Sequence, residues 1–373
     1  MTAVSAAPEV DRSVLGALRR VGDGGQGIVY LTDKVRINRT WEAAYKEYLA
    51  DTTFDPDVLR RMVAFVPELD EGSGRWLCDT TAWPAALVLS GGRVTGFLMR
   101  RVPDRFRMPW GDGGADVPAA LQYLLNPQAY LNRKNIGLDD RTRLRLLEAI
   151  ADVMARLHSL GVVIGDLSPN NLLVDLADPA CFLIDCDGMR LRDRDVVHQV
   201  ETPEWQVPRP GYEPIATKAS DSYKFGLLAA RLFAQDQMGQ DVSVLAGVSP
   251  ELGVLARRSL DADSTTRPSL GDWRGALGRA LAAPAPPTPP PRPRRTQARG
   301  STASSRTVAS PRRGTPRPGA ATAQASPPAA AARAPQRKPE EEHPVFYVVL
   351  GVAMIVFVLG CVVGSIVFVA NLF

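Results

Sequence analysis

The chain changes character at residue 283. Residues 283–343 contain 14 prolines, 11 Lys and Arg, 3 Glu and few large apolar side chains. A segment of that composition buries too little apolar surface to offset the entropy of ordering, and it reads as coil or polyproline II. The 29 residues Val345–Phe373 that follow carry no charge, and about 20 apolar residues suffice to cross a bilayer as a helix. A packed core must therefore come from the first 282 residues. That suits one globular unit, although a length of 373 taken alone suggests two or three domains. Charge divides at the same place: the segment 283–343 is net +8, which leaves −4 for the rest of a chain whose total is +4. The excess of base belongs to a spacer, and no nucleic-acid-binding module accompanies it, so no nucleic-acid partner is expected. The expected organisation is a disordered leader over 1–13, a globular domain over 14–282, a disordered Pro/Arg/Ala-rich linker over 283–343 and a transmembrane helix over 345–370.

The four cysteines, Cys78, Cys181, Cys186 and Cys361, show no metal-ligand spacing, which points to free thiols in a reducing compartment. With three histidines in the chain, a zinc site is not expected. The N-terminal MTAVSAAPEVDRS has neither the basic region nor the apolar region of a signal peptide.

Within the globular part, Val162–Arg190 carries the most chemistry. Two apolar runs, Leu172–Leu176 and Cys181–Ile184, read as short strands; Asp166 and Asn171 precede the first and Asp185 ends the second. One carboxylate can orient an attacking hydroxyl while an amide oxygen and a second carboxylate, both hard donors, hold Mg²⁺. That donor set suits phosphoryl transfer from a magnesium nucleotide. Taken alone, the same residue types also fill turns for purely local reasons. Upstream, Gly22-Asp23-Gly24-Gly25-Gln26-Gly27 followed by Val29 fits G-x-G-x-x-G-x-V, where glycines let backbone N–H groups approach phosphates. The strand-like Ile28-Val29-Tyr30-Leu31 comes directly after it, where a dinucleotide-binding fold needs a helix. Helical spacing of apolar residues marks Pro56–Val66 and, from Asp139, the longer run through Leu144, Leu147, Ile150, Met154 and Leu157.

Taken together, these stretches resemble the protein kinase family, through landmarks that occur in order over about residues 14–282. Ile164-Gly165-Asp166-Leu167-Ser168-Pro169-Asn170-Asn171 is similar to the family's HRDLxxxxN loop, and Asp185-Cys186-Asp187-Gly188 to its DFG turn. Ala43-Ala44-Tyr45-Lys46 resembles the V-A-I-K strand, and Thr202-Pro203-Glu204-Trp205 the region that ends in Ala-Pro-Glu, with either Pro203-Glu204 or Pro208 as the counterpart of its proline. Ser220-Asp221 with Gly226 resembles SDxxxxG, and Asp263 with Arg267-Pro268 resembles DPxxRP.

The resemblance implies a bilobal α+β fold, with an N-lobe over about 14–99 and a C-lobe over about 103–282, and ATP and Mg²⁺ as cofactors. It implies Asp166 as the catalytic base or orienting group and Asn171 and Asp185 as metal ligands. It places Gly22, Gly24, Gly27, Val29, Ala44, Lys46, Arg100 and Val102 against the nucleotide, with Met99 as gatekeeper and Arg100–Val102 as hinge. Asp221 is expected to accept hydrogen bonds from backbone N–H groups near Asp166, Glu204 to pair with Arg267, and Met189–Gln199 to fall in the activation segment. The sequence departs from the family at Ile164, Gly165 and Ser168, which stand where it has His, Arg and Lys. No Glu lies inside the helix Pro56–Val66 to pair with Lys46; Asp57 and Glu68 at its two ends are the candidates to replace it.

The implied function is a Ser/Thr protein kinase acting on protein substrates. It would be a single-pass protein of the cell membrane with its kinase domain in the cytoplasm. Gly360 and Gly364 offer a small-residue face for self-association of the membrane helix. Two other readings fit part of the pattern. One is a pseudokinase scaffold at the membrane. The other is a small-molecule phosphotransferase of the aminoglycoside or choline type, against which the Asp221 and Arg267 motifs speak.

Overall fold

Strands dominate the first hundred residues. They are β1 (Glu9–Asp11), β2 (Arg19–Asp23), β3 (Gly27–Ile37), β4 (Trp41–Tyr48), β5 (Ala86–Ser90) and β6 (Arg93–Arg100), in a computed structural model that describes residues 7–109, 116–208 and 214–283. These six form one mixed sheet in the order β1-β5-β6-β4-β3-β2. All pairings are antiparallel except that of β1, which runs parallel to β5. The linker, the apolar tail and Gly360 and Gly364 lie outside the described residues. Among the described residues no helix is long and apolar enough to cross a membrane.

Part of the expected leader is ordered: Glu9–Asp11 adds the edge strand to the sheet, and the turn after it buries Leu15. Three residues are too few for a readable alternation, so the sequence carries no sign of this strand. Period-two alternation organises β4. Ala43 and Tyr45 pack with Leu15, Ala86, Val88 and Leu98 in a small cluster on one face, while Tyr48 joins the main core on the other.

Helices supply most of the rest: α1 (Pro56–Glu68) and α2 (Glu71–Thr80) lie between β4 and β5, and α3 (Gln128–Arg133) and α4 (Asp140–Ser159) follow the sheet. Short strands β7 (Arg107–Pro109) and β8 (Asp116–Pro118) pair with each other, and β9 (Val162–Val163) pairs with β12 (Arg190–Leu191). Between these, β10 (Leu172–Asp175) and β11 (Ala180–Leu183) form the hairpin expected from the two apolar runs. Then come α5 (Lys218–Ala234), α6 (Ser243–Val248), α7 (Pro250–Ser259) and α8 (Leu270–Ala282). The result is a mixed α+β architecture with eight α-helices among the described residues.

Local chemistry sets the helix ends. Asp139 caps α4 by accepting from Thr142 N at 2.7 Å, and Asp55 caps α1 by accepting from Asp57 N and Val58 N. α1 extends past the expected Val66 to Glu68, passing through Pro67 in its last turn, where a missing N–H ends the ladder. Thr217 and Ser220 exchange hydrogen bonds at the start of α5, whose side chains from Ser220 to Leu232 are all buried. Buried on every side, α5 packs against α4, α6 and α7.

The tightest helix contact lies at Gly226. A Cβ there would stand 2.4 Å from Ser259 Cβ on α7. Alanine gains about 1 kcal/mol of helix propensity over glycine, but overpacking a core costs about 1–3 kcal/mol. Gly226→Ala is therefore expected to lower stability by up to about 2 kcal/mol, measured by urea denaturation. A more stable variant would mean that the α5–α7 contact is loose.

Candidate functional site

Lys46 is the charge around which the site assembles. Register places Lys46 on β4 opposite Val29 on β3, next to the turn formed by Gly24–Gln26, and on the sheet face that also carries Tyr48. Its ammonium is buried and donates to Asp185 Oδ1 at 3.0 Å and to both oxygens of Asp187 at 2.8 and 2.9 Å. Tyr48 Oη adds a hydrogen bond to Asp187 Oδ2 at 3.0 Å. Burial alone would lower the lysine pKa, yet the two carboxylates outweigh it and raise the pKa above its ordinary value. Burial, with the Asp187 charge behind it, holds the Tyr48 phenol well above the usual range.

The acid that answers Lys46 is thus Asp187, which is 0 % exposed, whereas Asp185 keeps 57 % of its side-chain surface. Neither helix-end candidate does so. Glu68 faces Arg192 at 3.7 Å, and Asp57 pairs with Arg60 at 2.7 Å. Sequence reasoning missed Asp187 as a partner; the signal available was the repeat of an acid two residues after Asp185, inside a turn closed by Gly188.

The β10–β11 ladder brings Asn171 and Asp185 to one end of a hairpin. Leu172 pairs with Leu183, and beyond them Ile184 N donates to Asn171 O at 3.0 Å. Asp185 takes a left-handed conformation, φ 58, at the start of a single helical turn. Cys186 in that turn is buried and donates to Leu183 O; burial, and then the charges of Asp187 and Asp185, push its thiol pKa up. Cys78, Cys181 and Cys186 are all free thiols.

Asp166 stands on the loop between β9 and β10. That loop is held from below by Asp221 of α5, whose carboxylate is fully buried. It accepts from Ile164 N at 2.8 Å and Gly165 N at 2.9 Å, and lies 2.7 Å from His158 Nε2. Asp221 thus fastens the loop to α5. Asn171 Nδ2 donates to Asp166 O at 3.2 Å, and Thr202 meets both carboxylate oxygens of Asp166, N to Oδ1 at 2.8 Å and Oγ1 to Oδ2 at 3.0 Å.

A cavity of about 400 Å³ joins these groups. Gly22, Gly24, Gly27, Val29, Lys46, Asp166, Asn171 and Asp185 all line it, along with His198 and Val200. Ala44, Arg100 and Val102 do not. Ala44 is buried in the sheet, Arg100 pairs with Ala43 across β4–β6, and Val102 packs against the main core. The Arg100 guanidinium bonds Cys78 O and Asp79 and lies over the Trp41 ring.

The donors at the open end suit a hard cation. With its amide nitrogen turned to Asp166, Asn171 keeps a carbonyl oxygen for a metal, and the half-exposed Asp185 has a carboxylate oxygen beyond the one that meets Lys46. Among the described residues no cluster of three His, Cys, Asp or Glu could hold a metal. Two oxygen donors are the usual complement for Mg²⁺ that is completed by phosphates and water.

The expected pair of Glu204 with Arg267 is not formed. Glu204 is exposed at φ 66, and the cation its charge acts on is Arg231, whose burial nevertheless lowers its pKa. Arg267 donates from Nε to Asp261 O at 3.0 Å and from Nη1 to Ala219 O at 3.3 Å. Among the described residues of this region, Glu201 is a buried acid, paired with Lys224 at 2.8 Å. A left-handed backbone at Glu204 turns its side chain outward, three residues past the one that points in.

Removing the buried acceptor of Lys46 should cost far more than removing the helix acid. Asp187→Ala is expected to lower stability by about 3–5 kcal/mol, because it leaves a buried ammonium without its buried partner. Glu68→Ala should stay within about 0.5 kcal/mol. Chemical denaturation of both variants tests this, and equal penalties would reverse the assignment.

No family model and no curated protein matches this chain.

Proposed function

We propose that the protein is a membrane-anchored protein kinase of the bilobal α+β type, transferring the γ-phosphoryl group of ATP to Ser or Thr of protein substrates. The observation that carries this reading is the convergence of Lys46, Asp166, Asn171 and Asp185 on one cavity beneath the Gly22–Gly27 turn. Lys46 offers positive charge to phosphate oxygens, and backbone N–H groups of the glycine turn cover them. Asp185 and Asn171 would hold Mg²⁺, which when bound neutralises charge on the phosphates. Asp166 orients the acceptor hydroxyl, and Thr202 Oγ1, 3.0 Å from Asp166 Oδ2, marks where a hydroxyl can stand.

A second reading, a pseudokinase scaffold, is favoured by Gly165 and Ser168, which stand where the family has the arginine beside the catalytic Asp and the lysine that meets the γ-phosphate. Asp185→Asn and Asp166→Asn separate the two. Asp185→Asn is expected to weaken Mg²⁺-dependent ATP binding and abolish transfer together. Asp166→Asn should leave binding nearly intact while transfer falls by roughly 10²–10⁴, the scale of a positioned acid–base group. Thermal shift with MgATP and a labelling assay measure both; a wild type that binds MgATP yet labels no acceptor, itself included, would establish the scaffold.

Anchoring is assigned to the apolar tail, and the arginines of the linker would face anionic lipid from the cytoplasmic side. A chain truncated before Val345 should move to the soluble fraction after cell lysis. Retention on membranes in high salt would show that the anchor lies elsewhere.

A further inference from the structure

Lys224 is a lysine where none is expected, in the middle of the buried run Tyr223-Lys224-Phe225-Gly226-Leu227 of α5. Its side chain is 0 % exposed, and that of its partner Glu201 is 5 % exposed. The ammonium donates to Glu201 Oε1 at 2.8 Å and to the carbonyl of Gly165 at 2.5 Å. Burying two ions is costly unless each is paired and hydrogen-bonded, so the arrangement calls for a role that an apolar pair could not fill.

The contacts form a closed circuit. Asp221, one helical turn before Lys224, accepts the N–H groups of Ile164 and Gly165, and Lys224 donates to the carbonyl of the same Gly165. One face of α5 thus holds Gly165, the residue before Asp166, by both its N–H and its carbonyl. The other end of the circuit is Glu201, whose neighbour Thr202 holds both oxygens of Asp166. Gly165 itself has no room for a side chain here. Gly165 has φ +73, and a Cβ there would stand 2.7 Å from Gln199 Oε1 and 2.9 Å from Ala216 Cβ.

The chain ahead of Glu201 is fastened in the same manner. Arg190 pairs with Asp195 at 2.6 Å, and Gln199 Nε2 donates to Gly188 O and Asp195 Oδ1, each at 2.9 Å. No Ser, Thr or Tyr occurs over Met189–Gln199.

We propose that Lys224 and Glu201 are positioning residues that hold the segment ending at Thr202 against the Asp166 loop, with no phosphate on that segment. The docked geometry stands on its own; its consequence for transfer rests on the kinase reading above. The ion pair acts by placing Thr202 on Asp166 and does not itself touch ATP.

Amide hydrogen exchange on the full chain, treated with phosphatase, tests the clamp. The Thr202 amide, which donates to Asp166 Oδ1, should exchange slowly in the wild type before and after treatment. Lys224→Met and the isosteric Glu201→Gln should speed it roughly tenfold or more, while peptides of α4 and α8 keep their protection. Lys224→Arg should restore most of the loss. In the labelling assay, Glu201→Gln should lower kcat and leave the KM for ATP unchanged. If Lys224→Met unfolds, the charge-free Lys224→Met/Glu201→Leu is measured instead, with the same expected loss of Thr202 protection. Unchanged exchange in Glu201→Gln, or protection that disappears with phosphatase, overturns the clamp. A wild type without transfer overturns the kinase reading alone, because the exchange result decides the clamp independently.

Discussion

A carboxylate without access to water, that of Asp221, is the constraint on which the site depends. It is buried on α5, the helix enclosed on every side, and so moves only with the core. Its oxygens take two backbone N–H groups of the loop before Asp166 and the ring of His158. A buried carboxylate is tolerable only with its hydrogen bonds complete. The same requirement makes the loop conformation a condition of folding. Asp166 is therefore held by the interior of the protein, not by the surface on which it opens.

Two cations follow a common logic, one lining the cavity and one holding the loop that carries Asp166. Lys46 comes from the sheet and ends on Asp187; Lys224 comes from the central helix and ends on Glu201. Each ties an acid on a loop to a residue in a regular element, and each is buried. Because the acid facing Lys46 belongs to the turn after β11, the lysine and the proposed metal ligand Asp185 are fixed as one unit. α1 takes no part in that ion pair. It is joined instead to the segment around Arg192, through Glu68, the Phe65 ring, and a hydrogen bond from Asp55 N to Val196 O at 2.7 Å. In the kinase reading, a shift of α1 would be felt first by the 190–197 segment and only second by Lys46.

Strong local patterns made much of this legible. The long periodic run of α4 and the paired apolar runs of β10 and β11 appear in the structure within one or two residues of their expected limits, and the strand that the resemblance gave to Ala43–Lys46 lies within β4. What stayed hidden depended on partners far along the chain. Asp187 lies 141 residues from Lys46, and no local spacing distinguishes it from an acid of an exposed turn. Glu204 fitted a motif better than Glu201, and only the backbone angle decides which of the two faces inward. Helix α2 contains Gly72 and Gly74, which erase the apolar stripe that would have announced it. Lys224 left one readable trace, a charge amid an apolar run, which marks either a misplaced surface residue or a buried pair.

The placement of Cys186 has a chemical consequence. Its thiol lies between the two acids of the turn, buried and held neutral by its surroundings. Alkylating reagents attack the thiolate, so the closed turn presents nothing for them to react with near neutral pH. Labelling at this position must pass through a brief opening of the turn, and its rate counts those openings. A native cysteine thereby serves as a clock for the motion of the very residues that face Lys46, with no probe introduced.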